Sequence, residues 1–194
     1  NERQWMQVRT RNFKKWFGDW GVYLRVNAIK SLKAVPERTL EKGKTPHEAY
    51  LSIGKVVNKS DGTEVEFTNN AYKKIAKSGG LSEKVIPSLQ QVFEESLFAY
   101  EENENLAGTP RKDGTLHKEH RSLEKVRNYV GKAMIDGKEH FVRFTVFMQK
   151  GQNGLHSYFV TDVDVYDNTT GSASAYGLPV TRLEIGRASC RERV

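Results

Sequence analysis

Three runs in the second half of the chain, KVRNYVGKAMI (125–135), KEHFVRFTVFM (138–148) and LHSYFVTDVDVY (155–166), constrain its fold more than any other feature. Each is rich in β-branched and aromatic residues, the side chains that suit a pleated surface. Only Asp136-Gly137 separates the first two, and that pair tolerates the positive φ of a two-residue hairpin turn. The segment QKGQNG joins the second run to the third, so the three predict an antiparallel meander. With Asp136-Gly137 as the turn, Ile135 falls opposite Lys138, Lys132 opposite Phe141, Val130 opposite Arg143 and Asn128 opposite Thr145. Period two then places Val142, Phe144, Val146 and Met148 with Tyr129, Ala133 and Ile135 on one apolar face. The other face carries Asn128, Lys132, Arg143 and Thr145. A six-residue second loop adds His156 opposite Phe147 and Tyr158 opposite Thr145; a slip of one residue there reverses the third strand.

Upstream, Trp5, Val8, Phe13, Trp16, Phe17 and Trp20 follow helical spacing, and Gly18 with Gly21 supplies a stop, so Glu2 to Phe17 reads as an amphipathic helix. Between Leu24 and Ala49 the pattern is weak, although Thr45-Pro46 suits the start of a short helix through Tyr50. IGKVVNKSDGTEVEF (53–67) reads as a hairpin around an Asn58 to Gly62 loop. Thr68 or Asn69 then caps a helix from Ala71 to Lys77, which Gly79-Gly80 ends. Leu81 to Glu102 predicts one long helix with Pro87 in its first turns and an apolar stripe of Ile86, Leu89, Val92, Phe93, Leu97 and Tyr100. Its Leu89 and Phe93 suit the apolar face of the meander. The fold class is therefore α+β: N-terminal helices and a hairpin, then a three- to four-stranded antiparallel sheet packed on a long helix. Asn103 to Glu119 is a polar loop, and Asn168 to Gly177 a Ser/Thr/Gly-rich linker.

The net charge of +7, from 31 Lys+Arg against 24 Asp+Glu, favours a polyanionic partner such as RNA or another nucleic acid. No run of about 18 apolar residues is present and NERQ does not begin a signal peptide, so the expectation is a cytoplasmic protein with no membrane span. Cys190 is the only cysteine, which excludes an internal disulfide or a thiolate cluster. It lies in EIGRASCRERV (184–194), which looks like a translated sequencing adapter and is set aside from the fold. With an Asn1 start, the chain reads as a fragment of something longer.

Lys, Arg, His, Thr and Tyr on one sheet face are the parts for cleaving RNA without metal. The reaction needs a base for the 2′-OH proton, an acid for the leaving oxygen and fixed cations for the charge on phosphate. His156 and Tyr158 suit proton transfer, and Arg143 and Lys132 suit the phosphate. The same composition also suits a face that is polar only because it meets water. HKEHR (117–121) offers a second element: His120 can swing over the polar face as a general base, or belong to a solvated basic loop. No metal or other cofactor is required, because the two histidines of that motif lack the further ligands of a closed site. Asp162 and Asp164 read as the outer side of a strand.

The hairpin, FTNNAYKKI, KVIPSL, KEHR, and then NYVGKAMIDGKEHFVRFTV followed by LHSYFVTDVDVY together resemble the large polyvalent-protein-associated domains, modules of very long proteins of phages and conjugative elements. The layout is also similar to phage nucleases of the barnase, EndoU, colicin and RelE superfamily, metal-independent RNases with two helices ahead of an antiparallel sheet. The second resemblance implies catalytic groups at His120, Arg143, His156 and Tyr158; Lys132, Arg121 and Thr145 are the residues expected to bind the nucleic acid beside them. RNFKKWFGDW (11–20) resembles a segment recurring between modules of such proteins. The expected organisation is an inter-module helix (1–23), a connecting segment (24–50), the α+β domain (51–167), a linker (168–183) and the non-native tail (184–194). Other modules of a longer chain are expected as partners.

Overall fold

A computed structural model describes residues 20–103, 123–150 and 155–167. In chain order the elements are helix α1 (Trp20–Ser31), helix α2 (Pro46–Leu51), strands β1 (Lys55–Val57) and β2 (Glu64–Phe67), and helices α3 (Asn69–Ser78) and α4 (Leu81–Lys84). A 3₁₀ turn (Ile86–Ser88), helix α5 (Leu89–Glu94) and strands β3 (Leu97–Asn103), β4 (Leu123–Ile135), β5 (Lys138–Lys150) and β6 (His156–Asp167) follow. The strands form one mixed sheet in the order β1–β2–β6–β5–β4–β3. The predicted amphipathic helix over Glu2 to Phe17 lies outside the described residues; Gly21, expected to stop it, stands inside α1.

The first hairpin of the meander has the predicted register. Asp136 and Gly137 adopt φ of 51° and 71°, and Ile135–Lys138, Lys132–Phe141, Val130–Arg143 and Asn128–Thr145 are cross-strand pairs. The second differs. His156 pairs with Lys150, and Tyr158 with Met148 rather than Thr145. The β5 ladder runs on to Lys150 and shortens the loop, and a slip by an odd number of residues turns this part of β6 onto the apolar face. A bulge follows: Val146 pairs with Val160 but Thr145 with Asp162, leaving Thr161 as an extra residue. Beyond it, Asp164 and Tyr166 pair with Arg143 and Phe141 on the opposite face.

The predicted long helix is instead α4, the 3₁₀ turn, α5 and then β3. Pro87 falls in the 3₁₀ turn, where its missing N–H and ring prevent a continuous α-helix. The second break is imposed from a distance. The buried Asn58 amide donates to Phe93 O at 2.8 Å and Ser96 O at 3.0 Å, taking carbonyls at the end of α5 and stopping the helix there. Leu97 onward then pairs with β4, with a bulge between Phe98 and Tyr100. Helix α3 keeps its predicted caps and runs a little past the predicted Ala71 to Lys77 at each end: Thr68 Oγ1 accepts from Ala71 N, and Gly79 closes it.

The apolar face packs under α2, α3 and α5. Phe93 sits at its centre, with ring centroids 5.2 Å from Phe144, 5.4 Å from Tyr129 and 5.7 Å from Phe67. Helix α1 covers part of the other face, where Val26 and Ile29 bury against Ala99, Val130 and Phe141. Val35 crosses the sheet edge between the two layers, accepting from Met134 N and donating to Lys132 O. The architecture is α+β, with short helices on both faces of a mixed sheet.

Candidate functional site

Strands β2 and β6 run parallel but pair at only two positions, Glu66 with Phe159 and Phe67 with Val160. Ahead of those pairs the strands diverge. Thr63, Glu64 and Val65 on one side and His156, Ser157 and Tyr158 on the other line a cleft of about 400 Å³, to which Lys55, Asp61 and Gly62 contribute. Its geometry begins in the hairpin loop. Asn58 anchors that loop to α5, while its own Oδ1 accepts from Ser60 N at 2.9 Å, and Thr63 N donates to Asp61 Oδ1 at 2.9 Å. Asp61 is thereby presented to the sheet.

Behind the cleft lies a connected polar network on the otherwise apolar face. The fully buried Tyr129 donates its hydroxyl to Asp61 Oδ2 at 2.7 Å. Burial pushes the Tyr129 hydroxyl up to about 12, and Asp61 adds to the rise, so the tyrosine stays a proton donor at neutral pH. Arg127 donates through Nε to Glu101 Oε2 at 3.1 Å and through Nη1 to Thr63 Oγ1 at 3.4 Å. Its guanidinium lies 5.2 Å from the Tyr158 ring centroid. Lys125 Nζ reaches the other Glu101 oxygen at 2.7 Å. Burial works against charge on Glu101, but the hydrogen bonds from Lys125 and Arg127 outweigh it and hold the carboxyl below its ordinary value. The same balance keeps Arg127 above the ordinary guanidinium value, through Glu101 and Tyr129.

The sequence model of a family described as large polyvalent protein-associated domain 3 matches residues 33–158. The chain belongs to this family. No curated protein and no solved structure matches it. Large polyvalent protein-associated domain 3 here spans the hairpin, α5 and the sheet up to Tyr158, so it contains almost the whole cleft and the network behind it. The chain is thus a module of the polyvalent-protein type, which fits company with other modules in a longer chain. No described helix is long and apolar enough to cross a membrane.

Within this domain 3 fold the residues singled out from sequence divide. His156 and Tyr158 line the same cleft. Arg143 stands on the α1 face, donating to Asp164 Oδ2 through Nε at 3.2 Å and Nη2 at 2.6 Å, with its guanidinium 5.3 Å from the Tyr166 ring. Thr145, on that face, donates to Asn128 Oδ1 at 3.4 Å. Lys132 is 7% exposed and donates to Lys30 O at 2.6 Å, closing the last turn of α1. His120 and Arg121 lie outside the described residues. Sequence reasoning missed Asp61, Glu101, Arg127 and Tyr129. One signal for them was available: in KVRNYVGKAMI, Arg127 shares the parity of Tyr129, Ala133 and Ile135, and a charge at an apolar-face position calls for partners.

Proposed function

We propose that the domain is a non-catalytic interaction module that holds a segment of another protein in the cleft between the β1–β2 hairpin and β6. The cleft itself carries this reading. Two stretches distant in sequence, the β1–β2 hairpin and the start of β6, converge there on walls that are already fixed by Asn58, by Asp61 on Tyr129 and by Arg127 on Glu101. Charge supports a protein ligand over a nucleic acid. The described residues carry 18 Lys and Arg against 17 Asp and Glu, and the cleft lining holds three carboxylates against Lys55, which is itself 3.2 Å from Glu64. A phosphate backbone needs a surplus of cations, and the lining of this cleft has none to offer. A fluorophore on Ser157→Cys, in a Cys190→Ser background, is expected to respond to extended peptides and not to single-stranded RNA. Response to RNA alone overturns the reading.

A second reading has its own observation. His156 and Tyr158 line one cleft with Arg127 stacked on Tyr158, a set that suits metal-independent RNA cleavage: His156 for proton transfer, Tyr158 as a hydroxyl donor and Arg127 for the phosphate. Labelled RNA incubated with the protein in EDTA tests it. Cleavage lost in His156→Ala and Tyr158→Phe supports a nuclease; no cleavage, or cleavage indifferent to both changes, removes it.

A further inference from the structure

We infer that the cleft takes an extended peptide segment bearing Lys or Arg side chains, an inference that rests on the interaction-module reading and names its ligand class. Shape comes first. The walls are two strand ends running in the same direction and diverging from a shared base at Glu66 and Phe159, and an extended chain is the form that lies alongside strands. Charge selects the side chain. Of the lining carboxylates, Glu64 meets Lys55, whereas Asp61 is held by neutral donors, the Tyr129 hydroxyl and the Thr63 amide. Exposed Glu66 makes no ion pair among the described residues. Asp61 and Glu66 therefore face the cleft without an ion pair among the described residues, the Lys55 opposite Glu66 on β1 being engaged by Glu64. Partly exposed Tyr158 and Phe159 beside them offer apolar surface to the methylene stem of a lysine or arginine whose head meets the carboxylates.

The protein as a whole carries +7, so its overall field repels a cationic peptide, and binding has to come from the local carboxylates. Fluorescence anisotropy on the full chain with labelled peptides alternating Lys and Ala, Glu and Ala, or Ser and Ala, and with single-stranded oligouridine, tests this. The Lys–Ala peptide is expected to bind, more weakly as salt rises. Glu66→Gln should weaken it about fivefold, the worth of one exposed ion pair of about 1 kcal/mol. Asp61→Asn should act in the same direction, its folding checked by Tm because Asp61 also holds Tyr129. Glu83→Gln, on exposed α4, should change nothing. If the Ser–Ala or Glu–Ala peptide binds as well as the Lys–Ala one, or Glu66→Gln leaves affinity intact, the charge inference is overturned while the interaction module stands. Binding of oligouridine with no peptide bound overturns both.

Discussion

Arg127 and Arg143 are near twins on opposite faces of one sheet. Each stacks on a tyrosine of β6, Tyr158 at 5.2 Å and Tyr166 at 5.3 Å, and each donates to a carboxylate on a neighbouring strand, Glu101 or Asp164. Their surroundings differ. The Arg127 triad is tied through Thr63 to the hairpin loop, shares Glu101 with Lys125 and opens on the cleft. The Arg143 triad borders the small cluster under α1, where Tyr166 packs. The same arginine–tyrosine–carboxylate unit thus braces an open cleft in one place and edges a helix contact in the other, and what it connects to decides which.

The largest effects should separate the two faces by their cores. Phe144→Ala, beneath the Arg127 face, is expected to cost about 3–5 kcal/mol, the range for truncating a buried aromatic. Ile29→Ala, on the buried side of α1, should cost about 2 kcal/mol, the low end for its type, because α1 can loosen without the sheet. Urea unfolding measures both, and equal losses would erase the distinction. Next comes Gly131→Ala. A Cβ there would sit 2.8 Å from Val92 Cγ1 and Val92 O, so about 1–3 kcal/mol of overpacking is expected where α5 crosses the sheet. A neutral result would mean that α5 shifts freely.

Smaller effects should separate the triads themselves. Glu101→Gln removes the acceptor of two cations and should cost about 1 kcal/mol, whereas Asp164→Asn, with one partner and greater exposure, should cost about half that. The pH dependence sharpens the contrast. Glu101 is held below its ordinary value of 4.5, so the unfolded chain takes up a proton there first as pH falls. Its contribution is complete above about 4.5 and disappears as pH drops through the lower folded value. Glu101→Gln should therefore flatten the acid limb of Tm against pH; an unchanged limb would show that the Glu101 pairs add nothing.

Local chemistry made much of the fold readable. Asp136-Gly137 set the β4–β5 register, Thr68 and Gly79 set the limits of α3, and parity alone placed Phe144 and Tyr129 on the packed face. What escaped depends on partners far along the chain. Leu97 to Glu102 continues a helical stripe on its own, and only Asn58 at the end of α5 and the open edge of β4 make it a strand. Parallel pairing of β2 with β6 leaves no trace in either strand. For the candidate site, His156 and Tyr158 were found as residue types, but their face was not, because the loop length and the bulge that decide it act through an odd or even count. Asp61 read as a turn residue; its role appears only when Tyr129 arrives beneath it.

Tyr158 and Tyr166 are both even-numbered, and on a regular strand they would look the same way. Thr161 is why they do not. That one residue makes β6 a two-sided strand, serving the cleft with its first half and the α1 layer with its second. Its consequence is a rule of heredity: side-chain replacements can tune either surface alone, but a one-residue gain or loss within β6 exchanges the allegiance of everything on one side of it. Chain length at this point, rather than residue identity, is where variants of the module have the shortest route from one surface of β6 to the other.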